Sequence, residues 1–160
     1  MKKDIVSNLV IRRYQASDKD EVWELHTLAL EKTGAHAGRG PWDEDLANIE
    51  EIYLNNNGDF LIGTINNRIV AMGALKKLSK DHVEMKRMRV HPDYQWKGIG
   101  TVMLKELEKR AHVLGYKFIQ LDTTTKQKAA QQFYLKHGYT EKRREKGKFE
   151  IIYYEKHLTP

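Results

Sequence analysis

The sequence predicts an α+β fold in which a central, mostly antiparallel sheet is flanked by about four helices. Three observations lead there. Runs of strand-like alternation dominate the first half of the chain after an initial helical stretch. Two longer stretches, near residues 18–33 and 99–114, carry apolar residues at helical spacing. A β-α-β pattern then falls in the second half, which places at least one parallel strand pair inside an otherwise antiparallel sheet.

The elements follow in order. Leu9 to Tyr14 reads as a first strand, after which Ser17 or Asp18 caps a helix. Asp20 and Glu21 fall in its first turn, with Val22, Leu25, Leu28 and Ala29 on one face. The glycine-rich stretch from Thr33 to Trp42 reads as a loop, and a second helix is expected from Asp43 to Leu54, closed by Asn55-Asn56-Asn57-Gly58. Asp59–Ile65 and Arg68–Leu78 are strands joined by Asn66-Asn67, a tight-hairpin signal, and a further strand runs from His82 to Val90. The helix from Ile99 to Leu114 carries Met103, Leu104, Leu107, Ala111 and Leu114 as its apolar stripe, and Gly115 sits where a left-handed helix end is wanted. A strand at Phe118–Leu121, a short helix ending before Gly138 and a last hairpin turning near Lys146-Gly147 complete the order.

Composition bounds the function. The 160 residues suit a single domain, residues 1–160, with 40% hydrophobic and 31% charged residues. The absence of cysteine excludes disulfides and thiolate metal sites, and the seven histidines show no metal-ligand spacing, so no metal is expected. The charged start, Met1-Lys2-Lys3-Asp4, lacks a signal-peptide core, and no apolar run approaches a membrane span; a cytoplasmic location without membrane association is expected. A net charge of +6 suits a polyanion, whether a nucleic acid or a phosphate-rich cofactor, and equally suits a merely soluble surface.

One segment is more specific. In Val90-His91-Pro92-Asp93-Tyr94-Gln95-Trp96-Lys97-Gly98-Ile99-Gly100-Thr101 a strand ends, a proline stops pairing, and two closely spaced glycines lead into an amphipathic helix. Free N–H groups and the positive dipole end at a helix start make an anion site, and glycine lets the backbone approach a phosphate. The Gly-Lys-Ser/Thr of a P-loop and the third glycine of a dinucleotide fold are both missing. The strand just before it slips phase: Val83 and Met85 are apolar with one parity, Met88 and Val90 with the other. Side chains alternate along a strand, so the slip implies a β-bulge near Lys86-Arg87.

Gln95-x-x-Gly98-x-Gly100 resembles motif A of the GNAT superfamily of N-acetyltransferases, and Ala130-x-x-x-Tyr134-x-x-x-Gly138-Tyr139 resembles its motif B. The resemblance implies a fourth strand that is bulged and splayed from the fifth, with acetyl-CoA as acyl donor in the gap. It implies that the loop of Gln95, Trp96, Lys97, Gly98, Ile99, Gly100 and Thr101 wraps the pyrophosphate. Backbone groups of Met88, Arg89 and Val90 would hold the thioester and pantetheine, with the Met88 N–H polarising the carbonyl. Ala130 and Tyr134 complete the cofactor wall. Gln127 stands where many members carry asparagine, and Trp96 where they carry glycine or another small residue; the indole either packs on the adenine side or covers the loop.

The resemblance also places Glu84 at the general-base position, and chemistry agrees. A lysine-like amine has a reference pKa near 10.4, so its deprotonation at neutral pH costs about 4–5 kcal/mol, which a carboxylate lowers by taking the proton during attack. The departing thiolate wants a proton or a hydrogen bond, and Tyr134 is the acid expected to supply it. Superfamily acceptor pockets usually form between the first two helices and the last hairpin, which points to His36, Arg39 and Trp42. The expected acceptor is a small-molecule amine, with a protein N-terminus or lysine as alternatives, and dimerisation fits such folds. Two rivals stand beside the enzyme: a catalytically silent acyl-CoA-binding module, and a basic nucleic-acid-binding domain whose glycine loop holds a backbone phosphate, while Lys142-Arg143-Arg144 reads as a solvated charged edge.

Overall fold

A computed structural model describes residues 5–33 and 43–159. Its seven strands are β1 (Val10–Arg13), β2 (Asp59–Ile65), β3 (Arg68–Lys77), β4 (His82–Val90), β5 (Phe118–Thr124), β6 (Thr140–Glu145) and β7 (Ile151–His157). They form one sheet in the order β1-β2-β3-β4-β5-β7-β6, antiparallel throughout except where β4 and β5 run parallel. The helices are α1 (Lys19–Thr33), α2 (Glu44–Ala47), α3 (Ile99–Val113) and α4 (Lys128–Lys136). This is the mixed, mostly antiparallel α+β fold that the alternation and the β-α-β pattern predict. No helix among the described residues is long and apolar enough to cross a membrane.

Each face of the sheet carries its own core. On one, Met103, Leu104, Leu107 and Ala111 of α3 pack on Leu61, Val83, Ile119 and Tyr154. On the other, Val22 and Leu25 of α1 meet Leu46, Tyr53, Phe60, Ile62 and Met72. Every residue of β2 is buried, as expected of a strand covered on both faces. The Asn66-Asn67 turn closes the β2–β3 hairpin with both residues left-handed, at φ 51° and 65°, the geometry such turns require.

Two local expectations change. The first helix is entered through a tight 3₁₀ turn, Ala16–Asp18, in which the Asp18 carboxylate accepts the Gln15 N–H at 2.8 Å and both N–H arms of Arg12 at 2.7 and 2.9 Å. The expected second helix from Asp43 to Leu54 is broken. Asn48 leaves the helical region (φ −135°, ψ 44°) and its side chain donates to the Glu44 carbonyl at 3.0 Å, competing with the helix ladder. A π-helical turn, Glu50–Leu54, follows, and Leu46, Ile49 and Tyr53 all end up buried.

The strand that matters most is β4. Met72 pairs with Arg89 and Ala74 with Lys86, so Arg87 and Met88 together face the single residue Gly73. Arg87 takes φ 59°, and the bulge lies where the apolar phase slips. Val83, Met85, Met88 and Val90 consequently all reach the α3 side of the sheet. Gly73 lets this happen, because a Cβ there would stand 2.5 Å from Leu107 Cδ1. Pairing with β5 is confined to His82–Glu84 against Phe118–Gln120. Beyond Glu84 the two strands part.

Candidate active site

The loop after β4 is built to start a helix without filling its mouth. His91 Nδ1 accepts the Asp93 N–H at 3.1 Å, and Gln95 Nε2 reaches back to the Val90 carbonyl at 3.2 Å, which folds the loop onto the end of the strand. Gly98 is left-handed (φ 87°) and caps α3 with no side chain on the first N–H groups. Those donors at Ile99, Gly100 and Thr101 therefore present an anion-binding helix end. Lys97 is exposed beside them. Trp96 is left-handed too (φ 65°) and 91% exposed, so no packing holds its indole.

The second motif arrives at the same place. α4 packs across the start of α3, with the Phe133 ring 3.7 Å from where a Cβ on Gly100 would lie, and His137 Nε2 3.4 Å from Thr101 Oγ1. Ala130 is partly buried on α4. Tyr134 packs edge-on against Phe133 and Tyr139. Its hydroxyl makes no hydrogen bond with the described residues. It is also absent from their sealed, unsatisfied atoms, which are His26 Nδ1 and Arg89 Nε alone. The side chain is half-buried. Burial pushes its pKa up to about 12, against the opposing pull of the Arg89 charge, so the phenol is protonated at neutral pH. Gln127 caps α4, and its side-chain carbonyl is taken by the Thr123 hydroxyl.

Glu84 is the last β4 residue paired with β5, at the point where the strands separate. Its carboxyl has no hydrogen-bond partner among the described residues. Burial raises its pKa, Asp122 adds to the rise, and Lys86 and Lys76 offset part of it. Such a carboxylate holds a proton more readily than a surface glutamate, as a base poised toward neutrality must. His36, Arg39 and Trp42 lie outside the described residues.

A polar cluster between the bulge and the α1–α2 side was not anticipated. Arg87 donates to Asp45 through both Nε (2.9 Å) and Nη2 (2.6 Å), and Nη1 lies 3.4 Å from Asp43. Tyr53 donates its hydroxyl to the same Asp45, and His26 Nε2 contacts Asp43 at 3.1 Å. Burial, joined by the charges of Arg89 and Arg87, lowers the His26 pKa to about 4, so the imidazole is neutral. The only signal in sequence is the run Lys86-Arg87-Met88-Arg89, charged residues inside a strand that must bury one face. The basic hairpin is largely self-neutralised: Arg143 pairs with Glu145, and Arg144 with Glu141 and Glu150.

A family model for the acetyltransferase (GNAT) family matches residues 17–139. The chain belongs to the GNAT acetyltransferase family. Among solved structures, a GNAT-family acetyltransferase from Staphylococcus aureus superimposes with TM-score 0.85 at 26% identity, covering 94% of this chain and 99% of the other. The yncA acetyltransferase of Salmonella typhimurium, solved with acetyl-CoA, shares the fold at TM-score 0.78 and 19% identity, with 95% of each chain covered. An uncharacterized N-acetyltransferase of Escherichia coli, YedL, is 33% identical over 76 residues, 46% of this chain and 48% of that one. The chain spans about half the length of the first curated relatives it matches. The end of β4, the start of α3 and α4 lie close together: a Cβ on Gly100 would stand 3.9 Å from Val90 Cγ2 and 3.7 Å from the Phe133 ring.

Proposed function

We propose that this GNAT acetyltransferase transfers an acetyl group from acetyl-CoA directly to a primary amine, without a covalent enzyme intermediate. The observation that carries the reading is the stretch of β4 beyond Glu84, which keeps β3 on one side, has no partner among the described residues on its β5 side, and ends at a helix start able to hold a diphosphate. Acetyl-CoA supplies the activated acyl group. The yncA structure, with acetyl-CoA in the same fold, supports that choice of donor.

Each residue then has a role. The backbone from Gln95 to Thr101 grips the pyrophosphate, and Lys97 adds charge. Arg89 and Val90 offer backbone groups to the pantetheine, while the Met88 N–H at the bulge polarises the thioester carbonyl as negative charge builds on its oxygen. Ala130 leaves room for the cofactor arm on α4. With its carbonyl engaged by Thr123, Gln127 contributes through the capped end of α4. Glu84 takes the proton from the attacking amine, directly or through a water.

Tyr134 acts on the sulfur. A phenol at about 12 facing a thiol of ordinary pKa near 8.5 makes full proton transfer uphill by about 5 kcal/mol. The hydroxyl therefore serves first as a strong hydrogen-bond donor to the developing thiolate, and the nearby Arg89 charge eases proton release. The chain has no cysteine to act as a ping-pong nucleophile. A small-molecule amine is the favoured acceptor, ahead of a protein N-terminus or lysine.

Acetyl-CoA at a hundredfold excess over its dissociation constant should stabilise the fold by about 2.7 kcal/mol. Thiol release should then appear with amines in a discontinuous or continuous thiol assay, free of background from the protein. Absence of both effects would remove the acetyltransferase reading; binding without thiol release would leave a silent acyl-CoA module.

A further inference from the structure

Among the described residues, Arg89 is the charged side chain with a sealed nitrogen that has no hydrogen-bond partner. It sits on the part of β4 that has left β5, on the far side of the bulge. Its Nη1 donates to the Met88 carbonyl at 2.9 Å, which fixes the guanidinium plane. Nε is sealed from solvent with no partner, and Nη2 makes no hydrogen bond with the described residues. Nε and Nη2 share one edge of the guanidinium. That edge is the fork which matches the two oxygens of a carboxylate.

The neighbours do not fill it. Asp43 and Asp45 act on Arg89 through space, but their hydrogen bonds go to Arg87, Tyr53 and His26. Arg87 repels Arg89, and His26 is neutral and offers no counter-charge. A half-buried cation whose Nε is sealed without a partner favours a bound anion, because part of its hydration is already lost. The location also suits an acceptor. Arg89 stands on the stretch of β4 that has parted from β5, and its charge reaches both His26 on α1 and the Tyr134 phenol on α4.

We infer that the free Nε–Nη2 edge of Arg89 receives the carboxylate of an amino-acid-like acceptor, so that the amine to be acetylated belongs to a molecule that also carries a carboxylate. The inference rests on the acetyltransferase reading and adds the acceptor's chemical class and the residue that selects it. A cationic polyamine would place positive charge against Arg89 and be rejected; a carboxylate orients the amine by its own anchoring.

The test compares matched pairs. Thiol release from acetyl-CoA is followed with the common α-, β- and γ-amino acids, each set beside its own carboxamide, which keeps the amine and removes the charge. The native protein should prefer at least one acid over its amide by about 10- to 100-fold in kcat/KM, the worth of hydrogen bonds to a charged group. In Arg89→Gln that ratio should fall to near one, and in Arg89→Lys, which keeps charge but loses the fork, it should be intermediate. The ratio divides out any general loss of turnover, and if Arg89→Gln does not fold, Arg89→Lys and the native ratio still decide. Equal use of acids and amides by the native protein, use of neither, or an unchanged ratio in Arg89→Gln would overturn the inference. Failure of acetyl-CoA to stabilise the native protein would instead strike the underlying reading.

Discussion

Replacing Asp45 with Asn should destabilise the protein by about 3 kcal/mol, because it leaves the Arg87 guanidinium short of its two-pronged partner. The pair is only 12% exposed on each side, and Asp45 accepts from Arg87 at 2.6 and 2.9 Å while also accepting from Tyr53. Breaking one side of a buried ion pair costs about 3–5 kcal/mol, and Asp43 at 3.4 Å from Arg87 keeps the loss at the lower end. For a chain of this size that corresponds to a fall in Tm of about 6–12 °C, and urea denaturation should show a lower midpoint with an unchanged slope. The sign of the pH dependence is fixed as well. Burial alone would raise the Asp45 carboxyl, but the hydrogen bonds from Arg87 and Tyr53 outweigh it and hold the pKa below the ordinary value. The stabilisation is therefore present above the unfolded-state pKa and is lost as pH falls through the lower folded value. Asp45→Asn should lose this acid-sensitive component. Adding Arg87→Met to Asp45→Asn should recover part of the loss, since the guanidinium that lost its bidentate partner is then removed as well. A loss below about 1 kcal/mol, the worth of a surface pair, would refute the reasoning that Arg87 and Asp45 form a stabilising buried pair.

Three further outcomes follow from the site. Tyr134→Phe should lower kcat by about 10²-fold or more with little change in acetyl-CoA affinity; unchanged turnover would take the hydroxyl out of the reaction. Because burial raises the Glu84 pKa and the base must be ionised, activity should fall as pH drops through a value above that of an ordinary glutamate, and Glu84→Gln should erase this limb along with about 10²- to 10⁴-fold of kcat/KM. A limb that survives the substitution would assign the base elsewhere. Trp96→Gly should relieve about 1 kcal/mol of backbone strain at its φ of 65°, raising stability, while weakening acetyl-CoA binding about 2- to 10-fold if the indole packs on the adenine. Calorimetric titration separates the two, and unchanged affinity would leave the indole as a cover for the loop.

The sequence alone determined the features that depend on local backbone chemistry. Gly98 and Gly115 mark helix boundaries with positive φ, Asn66-Asn67 closes a tight hairpin, and the phase slip between Met85 and Met88 announces a bulge because strand side chains can only alternate. The two motifs were legible for the same reason, since each is a short spacing imposed by a turn and a helix. What depends on contacts between distant segments was decided by the tertiary structure. The helix expected from Asp43 to Leu54 breaks at Asn48, whose side chain competes for the Glu44 carbonyl, and Tyr53 then meets Asp45. Arg89 reads in sequence as one more charge in a basic strand. Only folding reveals that Asp43 and Asp45 spend their hydrogen bonds on Arg87, Tyr53 and His26, leaving the sealed Arg89 Nε without a partner, because competition among buried charges is settled by three-dimensional proximity and desolvation.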